Sequence, residues 1–239
     1  MTVLPEIKYK SDVDVELIHC VGDDTSIAQA AWVSNYGGDI PTDKAERIPG
    51  LINFLMRDRH GTPFEHNSLT FRVSAPLFVF YEWHRHRAGW SYNEESARYR
   101  QLEPVFYVPR ADRALRQLGS PGKYTFEPGN YTERAVAYGA HRRMAQAAWG
   151  EYKALLESGI AKEVARNVLP VSIYKTMYAT CNVRSLFSFL SLRWAHPNSS
   201  VPTFPLDEIQ MVAQELDVLA RAHFPLAFEA FDKNGRVAP

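Results

Sequence analysis

The sequence predicts a helix-rich α/β (α+β) fold in which helices surround a small, largely antiparallel sheet. Of its 239 residues, 46% are apolar and 13% are aromatic, which is enough for a substantial core. Segments with helical periodicity are longer and more numerous than alternating segments. We find no internal repeat, low-complexity tract or linker, and we therefore expect residues 1–239 to form one domain.

Local patterns predict the elements of the N-terminal half. Asp24 and the hydroxyls after it can cap a helix, Gly61 lies past the end of another, and Pro76 suits a helix start. Apolar residues at helical spacing mark the buried face of the second helix: Ile48, Leu51, Ile52 and Leu55. In chain order we expect a strand (Val13–Cys20), a helix (Asp24–Val33), a loop (Asn35–Pro41), a helix (Lys44–Asp58), a strand (Leu69–Ser74) and a buried aromatic helix (Leu77–His84).

The C-terminal half is predicted to be mainly helical. Gly, Pro and Tyr crowd residues 118–131, which we interpret as a surface connection, and Pro170 stops the helix before it. In chain order we expect a helix end and loop (Arg85–Arg100), a short strand (Val105–Val108), long and short helices (Thr132–Leu156 and Ala161–Val168), an extended piece (Ser172–Cys181) and closing helices (Ser185–Ala195 and Asp207–Phe231).

Charge and cysteine usage narrow the class of protein. Lys and Arg total 27, as do Asp and Glu, so the composition favours neither a nucleic-acid partner nor a membrane surface. Cys20 and Cys181 lie far apart without a CxxC spacing, which disfavours a disulfide framework or a structural zinc site. We see no signal peptide and no apolar run of membrane-spanning length, and we expect a cytoplasmic protein.

Positive charge is concentrated in residues 84–100. This segment holds four arginines (85, 87, 98 and 100) against two glutamates (94 and 95), in a chain whose formal net charge is zero. Ser96, Ala97 and Arg98 combine a hydroxyl, a small residue that exposes its backbone, and a guanidinium, all of which suit phosphate. Two interpretations remain open: a phosphate or nucleotide pocket, or arginines that complement the negative end of the preceding helix.

Two further clusters carry polar residues at short spacing. His60, Glu65 and His66 lack a recognised metal-ligand spacing, and a turn with capping side chains explains them more simply. Residues 166–196 include a helix on which Arg184 and Ser188 lie one turn apart, a pattern that an ordinary amphipathic helix also produces. The chain has no GxGxxG, GxxxxGK[ST] or GxSxG motif, and neither cysteine lies in an activating context.

Together the three clusters resemble the flavin-dependent thymidylate synthase family. The signature of that family is Arg-His-Arg, seven or eight residues, and then Ser; here eight residues separate Arg85-His86-Arg87 from Ser96. The upstream segment His60–His66 also matches, as do Arg166–Pro170 and Asn182–Arg193 downstream. The resemblance extends from about residue 14 to the C-terminus.

The resemblance implies methylation at C5 of a uracil nucleotide, dUMP by default, with methylenetetrahydrofolate as carbon donor, FAD as cofactor and NADPH as reductant. It gives Arg193 a catalytic role, contacting the uracil and stabilising its charge. The implied FAD-binding residues are Ser34, His60, Thr62, Glu65, Arg85, His86, Arg87, Asn93, Glu94, Asn182, Arg184, Ser188 and His196. The implied nucleotide-binding residues are Glu82, Arg85, Glu94, Glu95, Ser96, Ala97, Arg98, Arg166 and Arg193. It also implies a homotetramer with shared active sites.

The chain departs from the family pattern near the expected site. Trp32 stands where the family commonly has Arg, Ser188 replaces a frequent His or Asn, and Trp194 after Arg193 is unusual, as is the stretch 197–202. These departures motivate an alternative, a paralogue that methylates UMP or a modified uridylate in specialised metabolism. Two other hypotheses stay open: a non-enzymatic nucleotide- or RNA-binding protein, which the neutral charge disfavours, and a family member kept for structure alone.

Overall fold

The computed structural model describes residues 6–37, 44–121 and 123–239. Its strands are β1 (Lys8–Lys10), β2 (Asp14–Val21), β3 (Ser68–Pro76), β4 (Trp90–Glu94), β5 (Val105–Tyr107), β6 (Ala114–Ser120), β7 (Lys123–Pro128) and β8 (Tyr174–Cys181). Its α-helices are α1 (Asp24–Tyr36), α2 (Ile48–Arg57), α3 (Leu77–Trp83), α4 (Tyr131–Glu157), α5 (Lys162–Ala165), α6 (Val183–Arg193), α7 (Asp207–Arg221) and α8 (Pro225–Lys233). Short 3-10 turns cover Ala45–Arg47, Thr62–Glu65 and Arg166–Val168.

The strands form one four-stranded sheet and two strand pairs within the described residues. The four-stranded sheet has the order β2-β3-β8-β4. Strands β1 and β5 pair in parallel, with Lys8 opposite Val105, and β6 and β7 form an antiparallel hairpin. The predicted fold class is confirmed, because the molecule is a mixed α/β structure with many helices and a small antiparallel sheet.

The described residues divide into two compact units. The first unit consists of the residues up to Asp14, Ser74–His84 and Glu94–Met177, and the second unit consists of the remainder. The expectation of a single domain remains a prediction.

The first unit has a hydrophobic core between helix α4 and the parallel strand pair β1–β5. Phe106 of β5 packs edge-on against Trp149 of α4, with ring centroids 6.3 Å apart. The fully or nearly fully buried members of this core are Ala97, Leu102, Phe106, Ala145, Trp149, Tyr152, Ala165 and Ile173. Helix α4 begins at a capping box, because the Asn130 side chain accepts from the Glu133 amide at 2.9 Å and the Glu133 carboxylate accepts from the Asn130 amide at 2.7 Å.

The second unit is built around helix α6. The residues Leu186, Phe187, Phe189 and Leu190 of this helix are fully buried, whereas Ser188 between them is exposed. Phe187 stacks on Phe231 of α8 with centroids 4.3 Å apart. The Asn182 side chain caps α6 by accepting from the Ser185 amide at 2.9 Å, and the Asn67 side chain accepts from the Val183 amide at 2.8 Å. The start of α6 is therefore fixed at two of its otherwise unpaired amides.

Several predicted elements are confirmed with small shifts in their ends. They are the strands β2, β3, β5 and β8 and the helices α1, α2, α3, α4, α5 and α6. The cap of α1 is Asp23 rather than Asp24, because Asp23 accepts from the Ser26 amide at 2.9 Å. Asp24 instead accepts from the amides of Leu226 and Ala227 at 2.8 and 2.9 Å, and so caps α8. No helix in the described part of the chain is long and apolar enough to cross a membrane.

Four predicted segments need correction. Residues 85–100 contain strand β4 and not only a helix end and loop, and 118–131 contains most of the hairpin β6–β7 rather than a plain connection. The loop predicted at Asn35–Pro41 begins late, since α1 continues to Tyr36, and residues 38–41 lie outside the described residues. The helix predicted over Asp207–Phe231 is two helices, because Pro225 cannot continue α7 and begins α8.

Candidate active site

The first unit contains a cleft of about 380 Å³ that brings together residues from two segments predicted to bind nucleotide, Glu94–Arg98 and Arg166. Glu94 and Ala97 line it from the Arg-rich segment, and Arg166 lines it from the 3-10 turn after α5. The sequence did not predict three further polar residues of the lining, Tyr81, Asn167 and Lys175. Since Arg166 lies far along the chain from Glu94, the fold brings the two predicted segments together.

Lys175 forms an ion pair with Glu94 in this cleft. The Lys175 side chain is 10% exposed and that of Glu94 is 23% exposed, so both charges are largely removed from water. A buried ion pair of this kind resists the loss of either partner, because the remaining charge would be left without compensation. Lys175 therefore fixes the position of the Glu94 carboxylate.

Arg166 is the cation of the cleft that is available to a ligand. Its side chain is partly buried and makes no ion pair or hydrogen bond with any residue that the structure describes. Together with Lys175 and Glu94 it leaves the lining with an excess of one positive charge. A guanidinium in this setting can bind a phosphate in bidentate fashion.

The segment after β4 turns sharply at Ser96. The amides of Tyr99 and Arg100 donate to the Ser96 carbonyl at 3.1 and 3.3 Å, and the Arg98 amide donates to the Ser96 hydroxyl at 3.3 Å. The Arg98 guanidinium lies 3.1 Å from Glu163 and is about half exposed. An exposed pair of this kind is weak, which leaves Arg98 able to exchange Glu163 for a ligand.

Glu95 is held by the sheet rather than by the cleft. Its carboxylate accepts from the Thr176 amide at 3.3 Å and lies 3.2 Å from the Arg100 guanidinium. It lines a neighbouring cleft of about 430 Å³. Glu82 lies half-buried at the end of α3. Neither Glu82 nor Glu95 lines the cleft that contains Arg166.

In the second unit, His86 and Arg193 form one hydrogen-bonded pair. The Arg193 Nε donates to His86 Nε2 at 3.0 Å, and the His86 ring packs against Phe189 with centroids 4.9 Å apart. His86 is 9% exposed, and burial, assisted by the positive charge of Arg193, lowers its pKa from 6.5 to about 4. The imidazole is therefore neutral near pH 7 and accepts a hydrogen bond from the catalytic candidate, Arg193.

The loop that carries His86 is fixed by glycine and by α6. Gly89 has φ +67°, and a Cβ at that position would lie 2.1 Å from the Ser185 hydroxyl, so only glycine fits. The Ser185 hydroxyl donates to the Ala88 carbonyl at 3.0 Å, and the Trp90 indole donates to the Ser185 carbonyl at 3.3 Å. The Arg-His-Arg segment is thus attached to the same helix that carries Arg193.

Arg184 of helix α6 lies against the turn predicted to bind flavin. Its guanidinium pairs with Glu65, and a Cβ on Gly61 would lie 2.4 Å from its Cζ atom. Its Nε also donates to the Pro239 carbonyl at 2.9 Å. Gly61 therefore allows the close approach of Arg184 and does not cap the end of α2; the positive φ after α2 belongs to Arg59.

The other residues predicted to bind FAD are mostly exposed. Arg85 and Arg87 are exposed, and their side chains make no ion pair or hydrogen bond with the described residues. His60, Thr62, Asn93 and Ser188 are also exposed. Ser34 donates only to the Ala31 carbonyl of its own helix at 2.8 Å. His196 follows α6, and burial, with a contribution from Arg236, lowers its pKa. No single contact unites these residues, and their roles remain predictions.

The pKa values of both cysteine thiols are raised, which disfavours the thiolate that nucleophilic attack requires. Cys181 is buried, and burial raises its pKa well above the usual thiol value. Burial, with the nearby charge of Asp23, also raises the pKa of Cys20. The described residues contain no group of three or more His, Cys, Asp or Glu side chains that could hold a metal ion.

The chain is similar to known proteins over most of its length. Residues 16–226 match the Thy1 family, described as thymidylate synthase complementing protein. The chain is 50% identical over 238 residues to a flavin-dependent thymidylate synthase from Streptomyces coelicolor, covering 98% of this chain and 97% of the relative. A flavin-dependent thymidylate synthase from Tropheryma whipplei is 45% identical over 233 residues, covering 97% of each chain.

A solved structure is also similar over nearly the whole chain. It is the UMP/dUMP methylase PolB from Streptomyces cacaoi bound with 5-Br UMP, with a TM-score of 0.90 and 46% identity, covering 98% of this chain and 100% of that one. The fold, the cleft that contains Arg166, the His86–Arg193 pair and these similarities define one class of protein. The chain belongs to the flavin-dependent thymidylate synthase (Thy1) family.

Proposed function

We propose that the protein methylates C5 of a uracil nucleotide, converting dUMP to dTMP. Methylenetetrahydrofolate is the carbon donor, FAD is the cofactor and NADPH is the reductant, as the family resemblance implies. The observation that carries this proposal is the cleft of the first unit, which combines Glu94, Ala97 and Arg166 from two separate nucleotide motifs. Its excess positive charge suits a nucleotide phosphate.

The nucleotide is held by two kinds of group. Arg166, Arg98 and the turn at Ser96–Ala97 supply guanidinium, hydroxyl and backbone donors for the phosphate. The Glu94 carboxylate, fixed by Lys175, supplies an acceptor for sugar or base donors. By the family resemblance, Arg193 supplies a positive charge for the uracil of a nucleotide bound in an active site shared between subunits. Because neutral His86 accepts from its Nε, the terminal nitrogens of Arg193 are oriented before substrate binds.

The donor set of the second unit fits a flavin dinucleotide. Arg85 and Arg87 are exposed guanidiniums without a partner in the described part of the chain, which suits the diphosphate. Arg184 and Asn182 add donors at the start of α6. When bound and reduced, the flavin supplies the hydride that completes the methyl group. This route needs no protein thiol, in agreement with the raised pKa values of both cysteines.

The proposal predicts a flavoprotein that forms dTMP. Purified protein is expected to take up FAD and, with NADPH, methylenetetrahydrofolate and dUMP, to yield dTMP detectable by mass spectrometry. Arg193→Ala is expected to abolish product formation and to retain FAD, because Arg193 serves the uracil. A protein that takes up no FAD and yields no product would support the non-enzymatic nucleotide-binding hypothesis instead.

UMP is a second candidate substrate. The solved relative at 46% identity is a UMP/dUMP methylase, with structures bound with 5-Br UMP and with 5-Br dUMP. Discrimination between ribose and deoxyribose depends on how the pocket meets one hydroxyl. The same product assay with UMP separates the two substrates.

We also propose the homotetramer that the family resemblance implies, which sedimentation of the purified protein tests.

A further inference from the structure

The C-terminal segment of the second unit, Gly235–Pro239, has two buried residues, Arg236 and Pro239, although the proposed function does not use it. The family match ends at residue 226, so this segment lies beyond it. Arg236 is 1% exposed and has φ +51°, a left-handed conformation that is uncommon for a residue other than glycine. The neighbouring Gly235 has φ +78°, and a Cβ there would lie 2.6 Å from the Ser200 hydroxyl. The surroundings therefore specify the position of this segment closely.

Arg236 lies against the residue that follows the catalytic candidate. Its guanidinium is 4.7 Å from the ring centroid of Trp194 and 4.8 Å from that of Phe231. It pairs with Asp217 at 2.8 Å and also with Asp232, which balances its charge in the interior. Trp194 directly follows Arg193, the last residue of α6. Arg236 therefore fixes the C-terminal end of α6 through the Trp194 ring.

The same segment reaches the other end of helix α6. The Pro239 carbonyl accepts from Arg184 Nε at 2.9 Å, in the first turn of the helix. The Arg59 guanidinium donates to the carbonyls of Val237 and Ala238 and so holds the intervening backbone. Arg184 is then fixed by Pro239 on one side and by Glu65 on the other.

We propose that the C-terminal segment is a strap that fixes both ends of helix α6, with Arg236 a positioning residue for Arg193 and Pro239 a positioning residue for Arg184. The roles of Arg193 and Arg184 rest on the proposed function. Arginine side chains lose rotamer entropy when they are ordered. A strap that orders them in the free protein removes part of this cost from the binding of ligand. Trp194, unusual for the family, is the residue through which the strap acts on Arg193.

The contact with Arg184 is tested by shortening the chain. A variant that ends at Arg236 loses the Pro239 carbonyl and keeps the buried guanidinium. We expect its FAD affinity, measured by quenching of flavin fluorescence, to fall about tenfold, since a hydrogen bond to a charged group is lost. In an Arg184→Ala background the same shortening should have no further effect. An equal loss in both backgrounds, or no loss in either, would overturn this half of the proposal.

The contact with Trp194 is tested by Arg236→Lys against Arg221→Lys. Arg221 also pairs with Asp217 and Asp232 and lies 4.8 Å from the Phe228 ring. Its side chain is 36% exposed, against 0% for Arg236, and it does not contact Trp194, so it controls for changes to the two shared aspartates. We expect Arg236→Lys to lower kcat for nucleotide methylation about tenfold with little change in FAD affinity. It should also speed amide hydrogen exchange at the C-terminal end of α6. Arg221→Lys should leave both unchanged.

Hydrogen exchange separates the strap from the proposed function. It is measured on the protein without flavin or nucleotide, so its result does not depend on methylation. Faster exchange in α6 of Arg236→Lys supports the strap even in a protein that forms no dTMP, whereas absence of dTMP from the unaltered protein counts against the proposed function alone. Equal exchange in the unaltered protein, Arg236→Lys and Arg221→Lys overturns the strap.

Discussion

His86 illustrates how burial changes the role of a residue that the sequence marks only as the centre of Arg-His-Arg. At the scale of the single residue, its ring is neutral and accepts from Arg193, with a pKa lowered to about 4 mainly by burial. The ordinary histidine value is 6.5. As pH falls below 6.5, the unfolded chain takes up a proton that the folded chain excludes. His86 therefore contributes stability above pH 6.5 that is lost between pH 6.5 and about 4.

The neutral state of buried His86 leads us to expect a pH-dependent difference between two histidine variants. Replacing His86 by Gln removes the titrating group, so the free energy of unfolding of His86→Gln should fall less between pH 7.5 and pH 5 than that of the unaltered protein. His19 is exposed, and His19→Gln serves as the control that should follow the unaltered protein. Urea unfolding at the two pH values measures the difference. Equal falls in all three proteins would contradict the assignment of a neutral, buried imidazole.

Lys175 is the charged residue among the three polar cleft residues that sequence patterns missed. Lys175→Met leaves the Glu94 carboxylate without its partner, close to the proposed phosphate site, and we expect nucleotide affinity to fall about tenfold or more. Adding Glu94→Gln should recover part of the loss, because the uncompensated charge is removed. Isothermal titration with dUMP measures both effects.

An exposed ion pair provides the control for Lys175. Arg116 and Glu127 pair on the hairpin β6–β7 with both side chains about half exposed. Arg116→Met should leave dUMP affinity unchanged, because such pairs contribute little. A similar loss in Arg116→Met and Lys175→Met would show that the effect is not specific to the cleft.

Among the secondary-structure elements, helix α6 contacts the 3-10 turn before β3 through the Arg184 side chain. Because Gly61 has no Cβ, the Arg184 guanidinium can approach it closely. A Cβ on residue 61 would lie 2.4 Å from the Arg184 Cζ atom. Gly61→Ala forces a flexible side chain rather than backbone to move, so the fold should survive and Arg184 should be displaced. We expect a fall of several-fold in FAD affinity with a small change in Tm, measured by flavin fluorescence and by calorimetry.

Gly150 in helix α4 is the matched control, because a Cβ at that position meets nothing within 4 Å. Gly150→Ala should leave FAD affinity unchanged and raise stability by about 0.5–1 kcal/mol, as expected for alanine inside a helix. Unchanged FAD affinity in Gly61→Ala would contradict the role given to Arg184.

At the scale of secondary structure, the sequence predicted the elements with strong periodicity and missed those that depend on pairing. Helix α2 follows from its apolar stripe and helix α4 from its long helical periodicity. Strand β4 and the hairpin β6–β7 have polar or Gly-containing sequences, and they form strands because a neighbouring strand satisfies their hydrogen bonds. Asp24 was predicted to cap its own helix, and it instead caps α8 across a long sequence separation. No local pattern contains such contacts.

At the scale of the whole molecule, motif order predicted the family and the segments that carry the site. Arg85–Arg87 with Ser96, and Arg166 with Arg193, were identified from the sequence alone. The partners of these residues were not, because Lys175, Pro239 and Arg236 belong to no motif and act through distant contacts. The family match confirms the resemblance, while the role of each site residue and the assembly of subunits remain proposals.

Release of tritium from nucleotide labelled at C5 reports methylation at that carbon, because methylation must remove the C5 hydrogen. We predict release from dUMP that requires FAD, NADPH and methylenetetrahydrofolate and that is abolished in Arg193→Ala. Similar or faster release from UMP would transfer the main activity to the ribonucleotide. A protein that binds FAD and releases tritium from neither nucleotide would contradict the account.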